Sequence, residues 1–141
     1  MSQLTITETN SISELSATGT RLVVLMYDGA IGALNKALDA IETGDLEGRC
    51  KAVNMAMDIL TQLCLALDHE QGGQIAGNLS DLYRFMIARL VRTNLLNDPQ
   101  PTRDVLRLLE SLYSAWRTLD EQISAGYVAV IAPKPEMRAV G

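Results

Sequence analysis

The sequence predicts an all-α fold, an antiparallel four-helix bundle with a flexible N-terminal arm and an extended C-terminal tail. Three observations carry this. From residue 20 onward, four long segments keep apolar residues at helical spacing. Short clusters of Gly, Asn, Asp and Pro separate them. The apolar 48% of the chain contains one Phe and one Trp, so the core must come from Leu, Ala, Ile, Val and Met, a mixture that favours helix over sheet. With 141 residues, one core is affordable and a second is not.

Residues 1–19 are rich in Ser and Thr, with Leu4, Ile6, Ile12 and Leu15 scattered among them. So little apolar surface cannot offset the entropy of ordering, and an arm is expected. Helix one, about 20–43, carries two neighbouring stripes. Leu22, Met26, Gly29, Ala33, Ala37 and Ala40 form one; Tyr27, Ile31, Leu34, Leu38 and Ile41 form the other. An arc this wide means either a central position or an apolar strip left for a partner, and its small residues admit a close backbone. Asp28 falls with Arg21, Asn35, Asp39 and Glu42 on a solvated stripe.

Asp45 is the expected N-cap of helix two, about 45–71, whose seam reads Leu46, Cys50, Val53, Met57, Leu60, Cys64 and Leu67. Leu65 falls among Glu47, Lys51, Asn54, Asp58, Thr61 and Asp68, on the side that should face water, and Met55 lies on its flank. Those two residues are candidate contacts on helical geometry alone. Helix three, about 74–97, sets Ala76, Leu79, Tyr83, Met86 and Leu90 on one face and Ile87, Val91 and Leu95 on the next. It too has more apolar surface than one seam uses. Helix four, about 102–126, spaces Val105, Leu109, Leu112, Trp116, Leu119 and Ile123 opposite a polar face. Two prolines follow in the tail, 127–141, and forbid further helix. Helices joined by such short connections pack antiparallel.

Composition excludes several function classes. A net charge of -5 leaves little to neutralise a phosphate backbone, so no nucleic-acid partner is expected. No run reaches the roughly 18 apolar residues of a membrane span, and the first residues lack a basic stretch followed by an apolar one, so a cytosolic protein is expected. Cys50 and Cys64 stand about 21 Å apart along one helix at 1.5 Å per residue, too far for a disulfide. His69 is the only histidine and has no partner at metal-ligand spacing. The Glu residues sit on polar faces, without the inward cage of a di-iron bundle. No cofactor, no metal and no catalytic residue is expected. Gly72-Gly73 reads as a helix stop, since no phosphate-loop lysine follows.

The stretch Leu25-Met26-Tyr27-Asp28-Gly29-Ala30-Ile31 resembles the opening helix of the flagellar FliS family. A second stretch carries more of the likeness. Leu67-Asp68-His69-Glu70-Gln71-Gly72-Gly73-Gln74-Ile75-Ala76-Gly77-Asn78-Leu79 runs into Leu82-Tyr83-Arg84-Phe85-Met86, Arg89-Leu90 and Asn94. With Trp116 at matching depth in the last helix, the resemblance covers about residues 20–120.

What it implies is a non-enzymatic cytoplasmic chaperone. Such a protein binds the disordered C-terminal segment of flagellin, prevents premature polymerisation and helps deliver it to the flagellar type III export apparatus. Membership of the two stretches nominates Tyr27, Asp28, Asn78, Tyr83, Met86 and Arg89 as client-binding residues, beside Met55 and Leu65 from geometry. The wide arcs of helices one and three are the expected client surfaces. Family members often carry a tyrosine in an arm that covers the site when no client is bound; here Leu4, Ile6 or Ile12 would take that role. Gly32 stands where relatives tend to have a larger residue. A different use of the same strips is self-association, in a homodimeric adaptor.

Overall fold

The starts of the second, third and fourth helices are each set by an aspartate, Asp45, Asp68 and Asp98, whose carboxylate accepts from N–H groups that a helix leaves unpaired. The computed structural model describes residues 6–124, with side chains over 19–123, and orders them as α1 (Ile6–Thr43), α2 (Leu46–Leu65), α3 (His69–Leu96) and α4 (Pro99–Ser124). At the end of α1, Asp45 N–H donates to Ala40 O at 2.8 Å and Gly44 N–H to Ile41 O at 3.3 Å, with Gly44 at φ 76°. This paired closure needs a left-handed residue, which glycine supplies without cost to a Cβ. Asp45 then caps α2, its carboxylate accepting from Gly48 N–H at 2.9 Å. Two residues thus end one helix and start the next.

Helix two is shorter than its apolar spacing suggests, ending at Leu65 instead of residue 71. Asp68 accepts from both Glu70 and Gln71 N–H at 3.1 Å, so residues 69–71 begin α3. The helical path is then broken once, at Gly73, with φ 52° and ψ -124°. That conformation is closed to residues with a Cβ. Gly73→Ala is expected to cost about 1–3 kcal/mol, read as a lower unfolding midpoint. Gly77→Ala, whose Cβ would meet nothing within 4 Å, should leave it unchanged or raise it.

Helix α3 stops at Asn97, left-handed at φ 54°, and α4 starts at Pro99, three residues before the expected 102. Pro99 and Pro101 fit there because first-turn N–H groups have no intrahelical partner to lose. Helix α1 begins at Ile6, so it takes in most of the expected arm; no Gly or Pro interrupts residues 6–18. The tail expected over 127–141 lies outside the described residues.

The described residues fall into two compact units, Met26–Leu112 and a unit of the two ends, 6–25 with 113–124. In the first, pairs between neighbouring helices run in opposite directions. Arg49 and Cys64 of α2 meet Asn94 and Ser80 of α3, and Arg89 and Thr93 of α3 meet Asp104 and Thr102 of α4. The bundle is antiparallel, as expected. Its core holds Leu34, Leu60, Met86, Leu90, Val105 and Leu109 with at most 1% of each exposed, each worth about 1.5–3 kcal/mol relative to water. Two buried polar pairs cross it. Tyr27 and Tyr83 join α1 to α3 through hydroxyls 2.7 Å apart, and Thr93 and Thr102 join α3 to α4 at 2.9 Å. On α2 the buried line is Arg49, Val53, Ala56, Leu60 and Leu63. The expected seam residues Cys50, Met57 and Cys64 are half-buried and Leu46 is exposed, because α1 and α3 grip α2 one position off the Leu46–Cys50 line.

In the unit of the chain ends, Arg21 Nε lies 3.8 Å from an Asp120 oxygen. Arg117 stacks over Tyr113 at 5.9 Å and pairs with Glu121 one turn on at 3.5 Å. The exposed Arg117–Glu121 pair contributes about 0–1 kcal/mol.

Candidate binding groove

The apolar surplus of α1 becomes a concavity where α2 crosses beside it. Ala33 and Ala40 from α1, with Gly48 and Ala52 from α2, are too small to fill the space between the two helices. A trough of about 410 Å³ remains. Met55 stands at one end of it, 57% exposed. Lys36 and Asp39 rise on the α1 wall, Lys51 on the α2 wall, and Thr43 with Asp45 close the end next to the connection. At Gly29, further back along α1, the Ile59 side chain of α2 fills the space, and an added Cβ would sit in ordinary contact 3.5 Å from Ile59 Cδ1. The trough is therefore an apolar floor of alanine and glycine under a charged rim. Nothing in it forms a nucleophile and base pair, and its chemistry is that of a surface complementary to a helix or extended segment.

A second concavity of the same volume opens where α3 begins, between His69, Gln74, Asn78, Asp81 and Arg84. Gln74 donates to Asn78 Oδ1 across it at 3.1 Å. Its lining is polar and lacks the apolar area that a docked amphipathic helix needs.

The eight nominated contact residues separate sharply. Met55 lines the trough, and Leu65, the last residue of α2, is 74% exposed. Asp28 is exposed on the solvated stripe of α1, and Asn78 lines the polar cleft. Tyr27, Tyr83 and Met86 require correction: at 0%, 1% and 0% exposure they are core residues with no surface for a client. The two tyrosine rings meet edge to face at 6.4 Å, so their presence in the family-like stretches reflects packing. Arg89 is half-buried and bonded to Asp104. Gln100 and then Arg89 hydrogen-bond that carboxylate and hold it below the usual range.

Part of the apolar surplus expected on helices one and three is exposed, as Leu22 and Leu25 on α1 and Ile75, Phe85, Val91 and Leu95 on α3 show, while the two helices face each other through the buried Tyr27 and Tyr83. Sequence reasoning passed over Lys36, Gly48, Lys51 and Ala52. A signal was available: Gly48, Ala52 and Met55 step by four and three along α2, the same face rule that picked out Ala33 and Ala40 on α1.

Among the described residues no group of three His, Cys, Asp or Glu side chains is placed to hold a metal ion, and no helix is long and apolar enough to cross a membrane. Cys50 and Cys64 are free thiols, both half-buried.

Comparison with known proteins agrees with the resemblance read from the two stretches. Residues 3–123 match the family described as Flagellar protein FliS. The flagellar secretion chaperone FliS of Salmonella typhimurium is 39% identical over 111 residues, which span 78% of this chain and 82% of the relative. That of Vibrio cholerae is 35% identical over 105 residues, 74% and 77% of the two chains. The flagellar secretion chaperone FliSB of Pseudomonas aeruginosa is 38% identical over 96 residues, 68% and 76%. A family match over most of the chain and relatives covered over three quarters of their length lead to one conclusion: the chain belongs to the FliS family of flagellar proteins.

Proposed function

We propose that this protein is a cytosolic chaperone of flagellar export that binds the disordered C-terminal segment of flagellin, with the α1–α2 trough as a principal client site. Held there, the segment is unavailable for premature polymerisation until it reaches the type III export apparatus. The trough itself carries this reading: it is the place on the bundle where an apolar floor, an exposed methionine and a charged rim occur together. An amphipathic helix needs those three features, and methionine adapts to varied apolar partners. No catalytic step is invoked. Folding the segment on binding costs about 2–5 kcal/mol of ordering, which leaves a complex that can be released for export.

Co-purification with full-length flagellin and with a tail-deleted flagellin tests the client; equal recovery of both would refute it. Met55→Glu tests the site. Because Met55 is exposed, the variant should unfold within about 0.5 kcal/mol of the parent. Its affinity for the flagellin C-terminal segment should fall at least tenfold, about 1.4 kcal/mol. Unchanged affinity would move the site elsewhere. A dimer that persists with the client present, by mass measurement, would instead favour the homodimeric adaptor.

A further inference from the structure

The chain has three lysines, against nine arginines, and two of the three line the trough. Lys36 stands on the α1 wall and Lys51 on the α2 wall; the third, Lys134, lies outside the described residues. The rest of the cationic inventory is arginine, much of it engaged with the protein's own groups, as Arg49, Arg89 and Arg117 are. Among the described residues Lys36 makes no ion pair. Lys51 reaches Glu47 at 3.8 Å, but with both side chains about four-fifths exposed that pair is weak and exchangeable. Four charged side chains therefore ring the floor of alanine and glycine, Lys36 and Asp39 on the α1 wall, Lys51 on the α2 wall and Asp45 at the closed end, and the two lysines are the flexible cations of that mixed rim.

We propose that Lys36 and Lys51 form a two-sided electrostatic clamp, and that the client helix seated in the trough carries carboxylates along its flanks at the level of the lysines. This rests on the reading of the trough as a client site and adds what the occupant must look like: a narrow face of small apolar residues flanked by Asp or Glu. Lysine suits the task better than arginine. Its ammonium is a mobile point charge without a fixed fork, so it accepts a carboxylate at several positions and holds none in a rigid bidentate pair. Charges placed at the rim chiefly steer encounter and select partners, while the apolar floor supplies most of the burial.

The test measures affinity of the flagellin C-terminal segment for the full chain at about 50 and about 300 mM salt, a range over which the Debye length falls to a few ångströms. Lys36→Glu/Lys51→Glu is expected to bind about tenfold more weakly at low salt and to lose most of the salt dependence of the parent. Lys36→Arg/Lys51→Arg, which keeps both charges, should keep the parent's salt dependence. Replacing the client's acidic residues by Gln one at a time should identify one whose loss weakens the parent but not the double Glu variant. If Met55→Glu abolishes binding while Lys36→Glu/Lys51→Glu leaves affinity and salt dependence unchanged, the trough stands and the clamp is wrong. If neither variant changes affinity, the trough reading fails and the clamp falls with it. All the substituted side chains are exposed, so loss of fold does not confuse the outcomes.

Discussion

Arg49→Ala is expected to destabilise the bundle by about 3 kcal/mol, visible as a lower midpoint in denaturant with an unchanged slope. Arg49 is a buried cation, 7% exposed, at the foot of α2. Among the described residues it has no carboxylate partner. Its Nε donates to Asn94 Oδ1 at 3.3 Å and its Nη1 to Asn97 Oδ1, so one guanidinium holds both the last turn of α3 and its left-handed cap. The last turn of α3 contains no basic residue of its own. Arg49 therefore also supplies the positive charge that a helix C-terminus favours, worth about 0.3–1 kcal/mol beyond the hydrogen bonds.

Against a total stability of about 5–15 kcal/mol, the loss is a large fraction. Arg49→Lys should recover less than half, because one ammonium cannot span both amides. Arg49→Met should be milder than Arg49→Ala, since it fills the space and buries no charge. A loss under about 1 kcal/mol in the alanine variant would show that the α3 terminus is held by other means.

Tyr27→Phe is the second large effect, at about 1–3 kcal/mol. The substitution removes one oxygen and leaves the Tyr83 hydroxyl, in a side chain 1% exposed, without the partner it has at 2.7 Å. The double variant Tyr27→Phe/Tyr83→Phe should cost less than the sum of the single ones, because the bond between the two hydroxyls is lost only once, and a cycle should return a coupling of about 0.5–3 kcal/mol.

The pair also sets an alkaline limit. Burial, and after it the hydrogen bond from Tyr27, pushes the Tyr83 phenol well above its ordinary value of 10.0. The folded protein thus keeps a proton that the unfolded chain releases above about pH 10. Tyr83's contribution is complete below that pH and is lost as pH rises beyond it. Tyr83→Phe should flatten the alkaline limb of a stability profile; an unaltered limb would place its origin in other groups.

The fold was readable because a helix announces itself in one dimension. The four segments were set by apolar periodicity, and the connections at Gly44 and Asn97 by residues that tolerate a left-handed backbone. The errors fell where a side chain competes with the helix for its own N–H groups. Leu67 continues the spacing of α2, but Asp68 takes the N–H groups of Glu70 and Gln71 and starts a new helix instead. The site was less readable for a different reason. Tyr27, Tyr83 and Met86 stand in the family-like stretches, yet such stretches carry packing and recognition alike. The trough depends on two helices at once, and alanine and glycine, which make it by what they lack, give a weak signal on either helix alone.

The two-residue joint at Gly44-Asp45 has a mechanical meaning. With α1 ended by two backbone hydrogen bonds and α2 begun by the next residue's carboxylate, the trough walls are pinned at that end. A segment seated there as proposed would meet a wall already in place, and the conformational entropy lost on association would fall mainly on the segment.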